Sequence, residues 1–403
     1  MLTVYESEAW VYLGRPGAMA PATIEVECGP TDLVLEIELC ARCGTDKTIY
    51  RHGHPNVDPY APVVLGHELV GRIAQVGNKV WTLTDGLGYC EGKTLPAAYL
   101  DFRVGERVVC QSRIARYRDG LMLIPKPITN LASQIDGGYS RYMRVPEAMI
   151  RSGAVLRVPE NVTDEEACLV EPTACALESI FATPHQVRVS EDGRHIFRAG
   201  IRPGGSACVI GSGTVSMIYA ALAMLEGAER VVMVVRSEAK RELVTKMLRD
   251  RVEVYVAART GEAASAETLA AEDRIVRDLS DLTGGYLFDD VISACASPAA
   301  QRLMLRLYTP EGYAVGACFG GTHRLVDAAN IDVNHYRAAK TMGTSGCSTD
   351  CMKTVLKWLE EDRLNLEGFL SRRRFTLKDD PHEFFTTDAD GLKPALLLRE
   401  GEQ

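Results

Sequence analysis

Cys43, His67, Glu68 and Glu171 stand in short segments of a kind that gathers around one metal ion. The segments are Cys43-Gly44-Thr45-Asp46, Leu65-Gly66-His67-Glu68 and Leu169-Val170-Glu171-Pro172. A thiolate, an imidazole and carboxylate oxygens together suit zinc, which accepts all three donor types and prefers a tetrahedral site. An ion held by few protein atoms keeps a position open, where a substrate oxygen binds and is polarised. About 40 residues after Glu171, Val209-Ile210-Gly211-Ser212-Gly213 turns an apolar run into glycines, as at a dinucleotide site. An electrophilic ion beside a dinucleotide implies hydride transfer to or from an alcohol carbon.

Each residue also has a plainer reading. Cys43 and His67 could be a buried thiol and a satisfied core histidine. Glu68 fits either a direct ligand or a partner that orients the site. Cys175 follows Glu171 by one helical turn and offers a thiolate in its place. Cys40 and Cys43 form a C-x-x-C pair, but the βαβ setting of a redox pair is absent, so Cys40 is expected in a strand core. Cys347 and Cys351 share one side of a helix start and are expected to pack.

Two kinds of element must position these groups. The first part of the chain reads as short β-rich runs such as Leu33–Leu39, Val70–Val76 and Arg107–Cys110, broken by glycine, proline and turn signals such as Gly77-Asn78. The pattern changes at Ile201-Arg202-Pro203-Gly204-Gly205. Strands are expected at Ala207–Ile210, Arg230–Val235, Leu287–Ser293 and Tyr313–Cys318, with helices at Thr214–Glu226, Glu238–Arg249 and Pro298–Leu307. That alternation points to an α/β fold with a parallel, doubly wound sheet. Glu262–Asp273 is expected as surface helix and loop, Asp350–Glu361 as an amphipathic helix and Pro394–Leu398 as a final strand.

Composition bounds the function. A chain of 403 residues is long enough for two cores. Its net charge of -9 opposes non-specific nucleic-acid binding. No stretch of about 18 apolar residues suggests a membrane span, and the N-terminus lacks the basic start and apolar run of a signal peptide. The 12 cysteines are scattered, which fits reduced thiols of a cytoplasmic protein better than a disulfide framework.

Nearly the whole chain resembles the zinc-containing medium-chain dehydrogenase/reductase family. The resemblance rests on the segments above and on Phe102-Arg103-Val104-Gly105-Glu106-Arg107-Val108, Asp136-Gly137-Gly138-Tyr139-Ser140, Val158-Pro159-Glu160-Asn161 and Arg202-Pro203-Gly204-Gly205. Gly-His-Glu shortly after Cys-Gly-Thr-Asp is its most specific part. The resemblance implies a GroES-like catalytic domain at 1–182, a Rossmann domain at 183–338, a segment at 339–403 returning to the first domain, and an active site in the cleft between domains. Glu171-Pro172 is similar to the sorbitol and polyol dehydrogenase branch. Metal ligands implied are Cys43, His67, Glu68 and Glu171. Thr45 stands where relatives relay the alcohol proton, and Thr48 replaces the histidine that continues the relay in many of them, leaving His52 or His54 as substitutes. Asp46 is expected to accept the second ring proton of His67 and so set its tautomer. Relatives with a second, structural zinc use four close cysteines; Gln111–Ile135 contains none, so one zinc per chain is expected. The stretch Asp85–Leu100 reads as an insertion without an assigned role. A homodimer or homotetramer is implied by relatives alone.

Dinucleotide contacts are expected from Gly211, Ser212, Gly213, Thr214, Val215, Arg236, Ser237 and Arg241. NAD-binding relatives end the second strand with an acidic residue that binds the ribose hydroxyls. Here Val235 is followed by Arg236-Ser237, and a guanidinium suits a 2′-phosphate, so NADP(H) is favoured with NAD(H) as the alternative. Ser216 at the third glycine position predicts looser packing of helix on strand. The implied function is a zinc-dependent oxidoreductase acting on a polyol, sugar or cyclitol. A phosphorylated substrate would call on Arg113, Arg116, Arg118 or Arg372–Arg374. The alternatives are a non-catalytic dinucleotide-binding sensor or structural protein and a zinc-free quinone reductase; retention of the ligand types and of Thr45 weighs against both.

Overall fold

Period-two runs of β-branched and aliphatic residues in the first third of the chain pair into antiparallel strands. The computed structural model describes residues 3–83, 97–113, 116–118, 121–123, 131–312, 314–318, 325–388 and 390–399. Contacts divide the chain into two units, Met1–Ala174 with Gly346–Gln403, and Cys175–Ser345. The expected borders at 182/183 and 338/339 fall a few residues from these.

The first unit opens with β1 (Thr3–Tyr12), β2 (Met19–Cys28), β3 (Leu33–Ala41), helix α1 (Gly44–His52) and β4 (Glu68–Val76). It continues with β5 (Arg107–Cys110), β6 (Tyr142–Val145), β7 (Val155–Arg157) and α2 (Val170–Phe181), whose second half lies in the other unit. Strands β1 and β2 pair along their full lengths. The first four residues of β4 are buried on both faces, which takes Glu68 inside.

The second unit begins with a hairpin, β8 (Pro184–Val189) and β9 (His195–Ala199), that pairs only with itself. Then come β10 (Ser206–Ile210), α3 (Thr214–Leu225), β11 (Arg230–Val235), α4 (Glu238–Leu248), β12 (Glu253–Val256) and α5 (Ala266–Leu282). They are followed by β13 (Asp290–Ser293), α6 (Pro298–Arg306), β14 (Val315–Cys318) and β15 (Lys340–Gly343). These six strands form a parallel sheet in the order β12-β11-β10-β13-β14-β15, with helices as crossovers, the expected α/β arrangement. Ile210 lies opposite Val234 and Ser293, and Val235 opposite Val256, so the loops after β10, β11, β12 and β13 leave one edge together. Helix α3 is buried through nine of its residues, Ser216 among them. Each buried Leu, Ile or Met there contributes about 1.5–3 kcal/mol.

The chain returns to the first unit with α7 (Thr349–Glu360), β16 (Leu370–Phe375), α8 (Pro381–Thr386) and β17 (Lys393–Leu397). Its sheet runs β7-β5-β4-β3-β17-β16, with β6 also paired to β3. Thus a strand from the end of the chain lies antiparallel to β3, Ala395 opposite Ala41. Two expectations are refined. Glu262–Asp273 is loop and helix start, mostly exposed as expected, but it buries Thr268, Ala271 and Glu272, the last against Arg302, and α5 runs on to Leu282. The strand expected from Leu287 begins at Asp290, after Leu287 itself takes a positive φ of 61°. Residues 85–96 of the apparent insertion, Tyr313 and the side chains of Arg116 and Arg118 lie outside the described residues.

Candidate metal centre and dinucleotide turn

Cys43 is the N-cap of α1: its thiol faces the Thr45 amide at 3.4 Å, and the Asp46 carboxylate accepts from the Cys43 amide at 3.2 Å. This reciprocal capping fixes both side chains at the first turn. His67 and Glu68 arrive on the turn into β4, after Gly66 at φ +93°. A Cβ on Gly66 would lie 2.7 Å from Tyr139 and 2.8 Å from the Cys40 sulfur, so glycine alone fits there. The Cys43 sulfur, a His67 ring nitrogen and a Glu68 oxygen lie within 4.8 Å of one another. That donor set and spacing fit a zinc ion, and the three would hold it.

The partners of these donors tune them. His67 Nδ1 faces Asp46 Oδ1 at 3.5 Å, which leaves Nε2 for an ion. Asp46 is fully enclosed and accepts from the Tyr139 hydroxyl at 2.7 Å. Burial pushes the Asp46 carboxyl up, but His67 and the hydrogen bonds from Tyr139 and Cys43 hold it below the usual range. Burial opposes charge on His67, yet Asp46 and Cys43 raise its pKa well above normal. The pocket is therefore arranged to hold positive charge.

Glu68 has a partner that sequence reasoning missed. The Lys393 ammonium donates to Glu68 Oε1 at 2.8 Å, lies 2.6 Å from Oε2 and donates to the Arg42 carbonyl at 3.2 Å. Burial and the Glu171 charge push the Glu68 carboxyl up, while Lys393 and His67 pull against them. Burial depresses the Lys393 ammonium, but the attraction of Glu68 outweighs it and raises its pKa. The one sequence signal was a lysine heading an otherwise apolar final strand, Lys393-Pro394-Ala395-Leu396-Leu397.

Glu171 does not join the group of three. Its carboxylate accepts from Ser112 Oγ at 2.6 Å and lies within 4.8 Å of the Cys347 thiol. It stays close enough for its charge to act on Glu68 and Lys393. Thr45 is exposed at the start of α1, whereas Thr48 Oγ1 donates back to the Gly44 carbonyl at 3.0 Å. His52 is the exposed last residue of α1, and His54, in the loop beyond it, accepts at Nδ1 from the Asn56 amide. Cys40 is buried and its thiol pKa is raised well above normal, as expected for strand core. Arg373 and Arg374 are engaged by Glu383 and Glu165. None of the ten cysteines whose side chains are described forms a disulfide.

In the second unit Gly211 follows β10 at φ +138°, and Gly213 caps α3 ahead of Thr214 and Val215. A Cβ on Gly211 would strike Ser216 Oγ and come within 3.0 Å of the Cys295 sulfur. Ser216 thus packs directly under the turn, with Ser212 at its tip. Burial raises the Cys295 thiol pKa, while the Arg236 charge pulls it down. Ser237 caps α4, accepting from the Lys240 amide at 3.3 Å, and Arg241 is paired with Glu238 at 3.2 Å. A glycine turn leading into a helix N-terminus suits a pyrophosphate.

Comparison with known proteins bears on the fold. Residues 29–159 match the family described as alcohol dehydrogenase GroES-like domain. D-arabinitol dehydrogenase 1 of Uromyces fabae is 26% identical over 221 residues, 54% of this chain; the chain spans about half that protein's length, 51%. Among solved structures, 2R,3R-butanediol dehydrogenase from Bacillus subtilis superposes with a TM-score of 0.73 at 18% identity, covering 97% of this chain and 99% of that one. A protein from Sinorhizobium meliloti 1021 described as a zinc-binding dehydrogenase, solved bound to NADP, gives a TM-score of 0.72 at 19% identity, covering 98% and 99%. Among the described residues, no helix is long and apolar enough to cross a membrane. The match to the alcohol dehydrogenase GroES-like domain thus covers residues 29–159, and the fold of the chain, with its parallel sheet behind a glycine turn, is similar to that of dehydrogenases of known structure.

Proposed function

We propose that this chain is a zinc-dependent oxidoreductase that moves a hydride between NADP(H) and the secondary alcohol or ketone of a polyol, sugar or cyclitol. The observation that carries the reading is the convergence of Cys43, His67 and Glu68 in a pocket charged to hold a cation. A bound zinc supplies Lewis acidity to a substrate oxygen, easing proton loss from an alcohol or electron withdrawal from a ketone. The remaining work falls to side chains. Asp46, fixed by Tyr139, orients the His67 ring. Thr45, exposed two residues beyond Cys43, is the hydroxyl assigned to pass the proton to water. Lys393 balances the buried Glu68 charge. Glu171 stands by as a further carboxylate near Glu68.

For the cofactor, the turn Gly211–Gly213 receives the pyrophosphate and Arg236 the 2′-phosphate of NADP(H). The NADP-bound structural neighbour and the absence of an acidic residue directly after β11 support that choice. The polyol class is supported by the names of relatives such as D-arabinitol dehydrogenase 1. Homodimer or homotetramer assembly is part of the proposal on family resemblance alone. The test is turnover by the metal-replete full chain on a panel of polyols and sugars with NADP or NAD. The expected result is NADP-dependent oxidation of at least one polyol, abolished in Cys43→Ser. A protein that binds zinc and dinucleotide yet turns over no alcohol would sink the reading and favour a binding-only role.

A further inference from the structure

Many arginines with described side chains in the second unit are committed. Arg202 pairs with Asp289, Arg230 with Glu253, Arg241 with Glu238, and Arg302 and Arg306 with Glu272. Several exposed arginines, Arg188, Arg198, Arg274 and Arg277 as well as Arg236 and Arg259, have no hydrogen bond or ion pair among the described residues; Arg236 and Arg259 are set apart by their position. They stand on consecutive loops of one sheet edge. Arg236 directly follows Val235 of β11. Val235 lies opposite Val256 of β12, and the Ala257 amide donates to the Val235 carbonyl at 2.8 Å. Neighbouring strands run about 4.8 Å apart, so the loop after β12 starts beside the root of Arg236.

That loop is held at both ends. At its start is the Ala257 hydrogen bond. At its end the Arg302 guanidinium, wholly enclosed, donates to the Gly261 and Glu262 carbonyls at 3.3 Å each and to the Asp327 carbonyl at 3.4 Å. The same guanidinium is gripped by Glu272 at 2.6 and 3.0 Å. The Glu262 carboxylate is turned to the start of α6, accepting from Ser297 Oγ at 3.0 Å and the Ala299 amide at 3.4 Å. Arg259 is therefore at the middle of a short span whose ends are fixed. Two exposed arginines on consecutive loops at the carboxyl edge of a parallel sheet suit a dianion, since ligands of such sheets bind at that edge.

We infer that Arg259 is a second cationic contact for the 2′-phosphate of NADP(H), held beside Arg236 by the Arg302-pinned loop, and so a determinant of cofactor choice. This deepens the NADP reading and rests on it. The experiment measures dissociation constants of the full chain for NADP+ and NAD+ by calorimetry, in wild type, Arg236→Ala, Arg259→Ala and Arg259→Lys. Because Arg259 is exposed and makes no hydrogen bond or ion pair among the described residues, its variants are expected to keep the wild-type melting point. A charge-assisted hydrogen bond of about 1.5 kcal/mol corresponds to a roughly tenfold change. Arg259→Ala is expected to weaken NADP+ about tenfold, leave NAD+ within about twofold, and recover in part in Arg259→Lys. Equal weakening of both dinucleotides, or no change in either, would overturn the inference. If wild type prefers NADP+ and only Arg236→Ala abolishes the preference, the Arg259 assignment falls while the NADP reading stands. If wild type binds NAD+ at least as tightly, the NADP reading itself fails and takes this inference with it.

Discussion

Replacing Lys393 by methionine removes the cation from a pair whose side chains are only 7% and 2% exposed, leaving the Glu68 carboxylate buried without its lysine. Methionine keeps most of the side-chain volume, so packing changes little and the loss is electrostatic. Breaking a buried pair by removing one partner costs about 3–5 kcal/mol, because the remaining charge keeps its desolvation penalty. In a unit of this size each kcal/mol moves the melting point by about 2–4 °C. Metal-free Lys393→Met should therefore melt roughly 6–20 °C below metal-free wild type. All three tryptophans, Trp10, Trp81 and Trp358, lie in the first unit, so their fluorescence reports its unfolding separately. Acidification should narrow the gap, since the orphaned carboxylate can then take a proton. Glu68→Gln with Lys393→Met should recover most of the loss, a strong non-additivity that marks a direct interaction. A Lys393→Met melting point within about 2 °C of wild type, or strictly additive effects in the double variant, would refute the buried-pair account.

Three other perturbations test neighbouring links. Asp46→Asn removes the carboxylate charge facing His67 and one of the two oxygens shared by His67 and Tyr139, and zinc affinity by chelator competition should fall about 10–100-fold. Gly211→Ala places a methyl against Ser216 and Cys295 at a positive φ, so NADP+ binding by calorimetry should weaken at least about tenfold, whereas Gly213→Ala, which meets no atom within 4 Å, should weaken it less. The Asp388 carboxyl is pushed up by burial but held below the usual range by Lys47 and Arg42, so its ion pairs stabilise the fold above about pH 4 and are lost as pH falls through its lowered pKa. Wild type should therefore outlast Asp388→Asn in urea at neutral pH, with the difference shrinking in acid; a difference that grows in acid would reverse the assignment.

What could be read in the chain beforehand was what local rules control. Cys43 with Asp46, and Gly66 with His67 and Glu68, are set within a few residues by a helix cap and a glycine turn, so their motifs announce their geometry. The alternation of strands and helices after Gly205 likewise follows from local periodicity. Lys393 was invisible because its role exists only once β17 pairs with β3, some 350 residues earlier in sequence. The setting of Glu171 depends on Ser112 and Cys347, which no spacing rule links to it. The burial of Glu272 within a mostly exposed stretch was not legible, because it reads as a surface charge until Arg302 is brought onto it. The β8–β9 hairpin was missed because its strands are short and half exposed, with little hydrophobic alternation to betray them.

The most direct test of the central claim is the zinc content of full-length protein prepared in zinc-replete medium, measured by plasma mass spectrometry in wild type and in Cys43→Ala/His67→Ala. The account predicts about one ion per chain in wild type and almost none in the variant, with the variant still folded by circular dichroism. Undiminished zinc in the variant, or none in wild type, would contradict it.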